Sequence, residues 1–339
     1  MKRIAKITVA LLLAVAMCFS LAGCYDEDLN WSAKYDDTEL PAGAYIYYLS
    51  IAYNEAASKV STEDEVLKSE IDGTPAETWI KNRADEYVNQ YFYIQNEMKR
   101  LGLEMTDEDY STCLQTTENY WNYFGTSFEK FGIAKTSFDI AYSQYNRMYL
   151  KVFNALYGEG GENEVPESEL RQHIEDDYYD YEYFSAPLTK TDDDNKSVDL
   201  TDEEKADLKE TLEKYKTKIE SGAMTVNDAA TDYALKVQQD STYQTGIKDE
   251  NGMQSSYMPD AFISAIKEMN EGDVEVVEST KYMIVLHRLP IKDDEDTLLE
   301  SSDNRSQLLL ELKNTEYADA VSAAAQSFEG VEWNQKVLN

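Results

Sequence analysis

From Leu40 onward, apolar and aromatic residues recur at three- and four-residue steps, the period of a helix with one buried stripe. Ala44, Tyr47, Tyr48, Ile51 and Ala52 form the first stripe, after Pro41 and Gly43. Trp79, Ala84, Tyr87, Val88, Tyr91, Ile94 and Met98 form a second, which starts near Pro75 and stops at Gly102. A third helix is predicted from Thr106, where acids follow the threonine in a capping pattern, through Tyr110, Leu114 and Trp121 to Gly125. A fourth runs from Thr136 through Ile140, Met148, Leu150, Val152 and Leu156 to Gly158. The Gly-Glu-Gly-Gly run at 158–161 then reads as a boundary.

Beyond it the pattern is mixed. Pro166 opens a helix through Leu170 and His173 to about Asp177, and Tyr181, Tyr183 and Ser185 alternate as in a strand. A polar loop at 191–199 precedes a charged helix, Asp202 to Glu220, stopped by Gly222, and a shorter helix covers Asn227 to Lys236. An irregular stretch, 240–257, leads to Met258-Pro259-Asp260-Ala261-Phe262 and a helix to Met269. Val274–Val277 is a short strand and Lys281–Leu289 a strongly apolar one. A last helical segment runs from about Leu298 to Phe328 and ends in Val331-Glu332-Trp333-Asn334. This order predicts an α+β fold: a mainly helical lobe formed by the N- and C-terminal segments, with an inserted α/β domain.

Ahead of the helices stand Lys2, Arg3 and Lys6, an apolar run from Ile7 to Leu21, and then Ala22-Gly23-Cys24. The run is short for a span of about 20 apolar residues and has the layout of a secretory leader. Leu21-Ala22-Gly23-Cys24 resembles the bacterial lipobox, which implies cleavage before Cys24 and a diacylglyceryl group on its sulfur. An ordinary leader with an incidental cysteine is the alternative. Either way the body works outside the cytoplasm, and the lipobox reading ties it to a membrane surface. Residues Tyr25 to about Asp37 are acidic and aperiodic and read as a spacer.

Charge narrows the partners. Of the 31 lysines and arginines three leave with the leader, so 28 face 66 acids and the formal charge becomes −38. A field of that sign repels nucleic acid, which excludes it as a ligand, and also repels anionic head groups. Cysteine is scarce: with Cys18 in the leader and Cys24 lipidated, Cys113 stands alone, so no disulfide or cysteine metal cluster can form. Tyrosine is abundant, at 26 residues against 10 phenylalanines. Its ring gives adaptable contact area with a polar tip.

Residues 178–292 resemble a parvulin-type peptidyl-prolyl isomerase domain. Met258-Pro259-Asp260-Ala261-Phe262 is similar to the family's Met-Pro-x-x-Phe helix start. Glu271-Gly272-Asp273-Val274 with Val277 is similar to its turn and strand, and Tyr282–Arg288 stands where its last strand ends in a basic residue. With the lipobox and the flanking helices, the chain resembles the PrsA-like and SurA-like foldases. The resemblance divides it into a leader (1–23), an acidic tether (24–38), an N-terminal helical chaperone lobe (39–174), a parvulin-like domain (175–292) and a C-terminal helix returning to the helical lobe (293–339).

Isomerisation must lower a barrier of about 18–20 kcal/mol by favouring the twisted amide over the planar one. The resemblance makes Met258 and Phe262 the proline-binding residues, four apart on one helical face. The family's two histidines are missing: Tyr181 or Tyr183 stands at the first position, Met283 or Ile284 at the second, and Asp240 is a loose candidate for the polar floor. The catalytic residues are therefore unassigned, and the parvulin-like domain is expected to be a weak or inactive isomerase. His173 and His287, the only histidines, read as structural or surface groups, which also argues against a zinc enzyme or a histidine-based hydrolase. Asp192-Asp193-Asp194-Asn195 lacks the glycine and terminal glutamate of a calcium loop.

Trp79, Tyr87, Tyr91, Trp121 and Tyr123 are either core of the helical lobe or the lining of a cleft for unfolded chains. The expected function is a membrane-anchored foldase or chaperone for unfolded secreted polypeptides, needing no cofactor and no metal. An active prolyl isomerase is the alternative, and a solute-binding lipoprotein of a transporter is a more distant one.

Overall fold

The computed structural model describes residues 30–60, 63–237 and 240–338, so Cys24 and the leader lie outside the described residues. The fold is mixed α+β and divides into two compact units: residues up to Glu164 with Lys313–Asn339, and Val165–Leu312.

The first unit begins with strands β1 (Trp31–Tyr35) and β2 (Thr38–Pro41), joined by a turn with Asp36 at φ 49°. The spacer read at 24–38 is thus part strand. Adjacent Ser32 and Ala33 are buried and anchor it, and Asp36 and Asp37 are exposed at the turn. Helices α1 (Ala42–Ser58) and α2 (Ala76–Arg100) follow, separated by a 3₁₀ turn and the two-residue strands β3 (Glu70–Ile71) and β4 (Thr74–Pro75).

Helix α3 (Asp107–Lys130) starts at a capping box in which Thr106 and Asp109 exchange side-chain and backbone hydrogen bonds. It runs past Gly125, where the sequence suggested a stop. A Cβ there would lie 2.5 Å from Trp121 Nε1, so glycine makes room for an indole within the helix. Helix α4 (Lys135–Phe138), a π-helical segment (Asp139–Gln144) and α5 (Tyr145–Tyr157) complete the N-terminal part. The π segment turns Asp139 and Ser143 inward, where both bond Thr117.

The second unit holds α6 (Glu167–Asp177), β5 (Tyr178–Pro187), a small hairpin of β6 (Thr189–Thr191) and β7 (Ser197–Asp199), α7 (Asp202–Glu220) and α8 (Val226–Val237). Then come β8 (Gln244–Asp249), α9 (Glu250–Ser255), α10 (Asp260–Glu268), β9 (Val274–Glu278) and β10 (Tyr282–Leu289). A 3₁₀ turn (Ile291–Asp293) and α11 (Glu295–Glu300) lead to α12 (Ser302–Gln326).

Helix α6 belongs to this unit rather than to the helical lobe in which 39–174 placed it. Arg171 pairs with Glu295, and Lys292 with Glu175, fastening it to the segment after β10. For the same reason the unit continues past residue 292. The hairpin β6–β7 occupies the expected acidic loop, and Asp192 Oδ1 accepts from the backbone N–H groups of Asp194 and Lys196 at its tip.

The four-stranded sheet has the order β8-β5-β10-β9 with every neighbouring pair antiparallel. Side chains alternate across it, and each face has its own core. One face packs Phe184, Ala186, Met283 and Val285 against Leu212, Tyr215 and Val226 of α7 and α8. The other packs Tyr181, Ile284, Leu286 and Val277 against Phe262, Ile263 and Ile266 of α10.

Back in the first unit, the later part of α12 buries Tyr317, Val321 and Ala325, and Ser322 donates to Glu86. Strand β11 (Glu332–Trp333) joins β1 and β2 in a three-stranded sheet, followed by the short helix α13 (Gln335–Leu338). Among the described residues no helix is long and apolar enough to cross a membrane.

Candidate functional site

Phe262 sits on the first turn of α10, opened by Pro259, and is wholly enclosed. The rings of Tyr181 and Tyr183 meet it edge-on, with centroids 5.2 Å away in each case. Met258 is half-buried at the rim, its Sδ 4.0 Å from the Tyr183 hydroxyl. Ile284 joins this cluster. Met283 points through the sheet to the opposite core, because the antiparallel register sets it beside Ala186 while Ile284 lies beside Ser185. Of the two residues left open for the second histidine position, only Ile284 therefore shares a face with Met258, Phe262, Tyr181 and Tyr183. Asp240 is exposed, ahead of β8.

This face is chemically quiet. The Tyr181 hydroxyl is buried without a hydrogen-bond partner, and burial, helped by Tyr183 and Asp180, pushes its pKa up to about 12. Gly246 of β8 leaves room for it, since a Cβ there would stand 2.8 Å from the Tyr181 hydroxyl oxygen. Phe262 presents no open surface in this arrangement, so a proline ring has nowhere to stack upon it.

The ionisable groups lie on the opposite face. His287 Nδ1 is 2.9 Å from Glu182 Oε1, and the Tyr243 hydroxyl donates to Glu182 Oε2 at 2.9 Å. Burial opposes ionisation of Glu182, but the bonds from His287 and Tyr243 hold its pKa below the usual range. Asp180, next on that face, is only 4% exposed, and its carboxyl is pushed up to about 7 by burial and by Asp294. This His–Glu–Tyr constellation escaped the reading of the sequence. Its members are more than 100 residues apart in places, and no spacing marks them. His173 braces α6: its Nδ1 meets Asp177 and its Nε2 meets Glu311, which also accepts from Tyr178.

The aromatic residues of the helical unit separate into two groups. Tyr91 is core, and Tyr87 stacks on Tyr48 and bonds Glu55. Trp79 is partly covered, with Lys59 Nζ 5.4 Å from its ring centre. Trp121 is partly covered against Phe128 and Phe138.

Helix α3 behaves differently. It buries only Asp109, Cys113, Thr117 and Gly125, and it leaves Tyr110, Leu114, Tyr120, Tyr123 and Phe124 exposed. Tyr123 is 85% exposed. Phe124 touches both Tyr120 and Tyr123, and Tyr120 meets Tyr142 edge-on and Phe138 at a tilt beneath. The result is a continuous patch of Tyr120, Tyr123 and Phe124 resting on buried Phe138 and half-buried Tyr142.

No protein-family model and no curated protein matches this sequence. Among solved structures the chain is similar to the foldase protein PrsA of Streptococcus pneumoniae, at 13% identity and a TM-score of 0.38, over 74% of this chain and 89% of that one. It is also similar to PrsA of Lactococcus lactis (12%, TM-score 0.38, 91% and 96%) and PrsA of Bacillus subtilis (14%, TM-score 0.32, 81% and 92%). Identities this low carry no individual residue of those proteins onto this chain.

Proposed function

We propose that this chain is a lipid-anchored, extracytoplasmic chaperone that captures unfolded segments of secreted polypeptides, and that its parvulin-like unit lacks effective isomerase chemistry. The observation that carries the reading is the exposed aromatic patch of α3. A contiguous cluster of apolar rings at a surface is costly to keep hydrated, and such patches mark interaction sites. Unfolded chains offer the matching apolar side chains, and no enclosed ligand cavity is needed to receive them. The leader with Cys24 supports attachment at the outer membrane face.

The enclosed Phe262 argues against isomerisation. An active site must bind the twisted prolyl amide more tightly than the planar one, and that requires an open proline pocket. Met258, Tyr181, Tyr183 and Ile284 supply apolar walls, and the ionisable His287–Glu182 pair lies across the sheet from them.

The test pairs two assays on the whole chain: suppression of aggregation of a chemically unfolded client, and prolyl cis/trans exchange on a proline tetrapeptide. Suppression that falls with Tyr123→Ser and Phe124→Ser together, without measurable exchange, is the expected result. Exchange abolished by Phe262→Ala would replace this reading with the isomerase. Suppression unchanged by the α3 substitutions would remove the patch as the capture site. Acyl labelling lost in Cys24→Ser checks the anchor.

A further inference from the structure

We infer that the α3 patch captures unfolded segments chiefly through their arginines, the guanidinium stacking on exposed tyrosine rings while nearby apolar residues cover Phe124. This rests on the capture reading and names the class of segment captured. Two features lead to it.

The first is charge. Helix α3 carries five acids, Asp107, Glu108, Asp109, Glu118 and Glu129, against one base, Lys130. Asp109 is neutralised by Arg147 and Lys151, and Glu118 by Lys135. Asp107, Glu108 and Glu129 remain exposed on a chain whose formal charge is −35 overall. A segment reaching the patch therefore enters a negative field, which favours cationic partners and speeds their encounter.

The second is the kind of ring. The exposed aromatics are mainly tyrosines, Tyr110, Tyr120 and Tyr123, with Phe124 between the latter two. Tyrosine faces attract cations through the ring quadrupole. Among the cations, arginine is planar, weakly hydrated and able to stack, whereas the lysine ammonium is a compact and strongly hydrated point charge. A purely apolar client would use only the area of these rings. An arginine-bearing one uses their electrostatics as well, and gains from the chain's net negative charge. At exposed sites a cation–ring contact corresponds to roughly a two- to fivefold gain in affinity.

The experiment uses the whole chain and three labelled unstructured peptides with the same apolar residues, carrying arginine, lysine or glutamine at two fixed positions. Binding is followed by anisotropy at low and physiological salt. The expected order is arginine tightest, lysine weaker, and glutamine weakest, the arginine peptide exceeding the glutamine peptide by about two- to fivefold per contact. Tyr123→Leu with Tyr120→Leu keeps apolar area but removes the ring faces, so glutamine-peptide binding should persist while the arginine-over-lysine margin disappears. Equal binding of arginine and lysine peptides overturns the inference and leaves a general electrostatic surface. Equal binding of all three overturns it while leaving apolar capture in place. No binding of any peptide, with the unfolded client also unprotected, defeats the capture reading itself.

Discussion

Asp180 offers the sharpest test of the electrostatics of the inserted unit. Its side chain is 4% exposed on β5, its Oδ2 has no hydrogen-bond partner, and Asp294 and Glu182 add negative charge beside it. The fold therefore favours the protonated acid, with a pKa of about 7 against an ordinary value of 3.8. A raised folded-state value means that the stability is complete below the unfolded pKa near 4 and is lost progressively until pH passes about 7. Converting that gap gives roughly 4 kcal/mol as a ceiling, and about 2–4 kcal/mol is a reasonable expectation for a group beside a partly solvated loop.

Asp180→Asn keeps the shape and removes the titration. The variant should match the wild type near pH 4 and exceed it by roughly 2–4 kcal/mol at pH 8, the gain growing between those limits. All four tryptophans, Trp31, Trp79, Trp121 and Trp333, lie in the helical unit, so indole fluorescence does not report on this change. Urea unfolding should instead be followed by hydrogen exchange of β5 and β10 amides across the pH series. A difference that is constant with pH, or a variant destabilised at pH 8, would refute the reasoning.

Three further outcomes follow from the packing. Phe262→Ala should cost about 3–5 kcal/mol in the inserted unit, because the ring is fully enclosed between Tyr181 and Tyr183, and chemical denaturation followed by tyrosine signals would show it. Gly246→Ala should destabilise by about 1–3 kcal/mol, since the added methyl meets a tyrosine that the core prevents from yielding; Gly246→Ala with Tyr181→Phe should recover part of the loss in the same assay. Tyr123→Ser should leave thermal stability within about 0.5 kcal/mol while weakening client capture, as its ring is mostly in water.

The longer helices were legible because they carry stripes at the helical period, whereas α9, a six-residue helix burying only Met253, lay in the stretch 240–257 that reads as irregular. The capping box at Thr106 and the stop at Gly222, where φ is +71°, are local signals of the same kind. Strand β10 announced itself as an apolar run covered on both faces. What stayed hidden depended on distant partners. Strand β1 is short and polar, and it is a strand because Ala33 pairs with Leu40 and, far along the chain, with Trp333. Strand β8, Gln-Thr-Gly-Ile-Lys-Asp, shows no alternation of apolar residues and is held by pairing with β5. At the site, Met283 and Ile284 could not be separated until the register with β5 chose their faces. Tyr91 and Tyr123 look alike in sequence, and only the packing of their helices sends one inward and the other to solvent.

The pairing of β1 with β11 sets an order of assembly. Residues 165–312 form a contiguous stretch that can fold as soon as it emerges, whereas the helical unit needs Tyr317, Val321, Ala325 and Trp333 from the far end of the chain. During N-to-C synthesis the earlier helices must wait, with their aromatic faces uncovered, until the last residues arrive. Truncation before Glu332 would therefore leave the inserted unit intact and strand the lobe that began first.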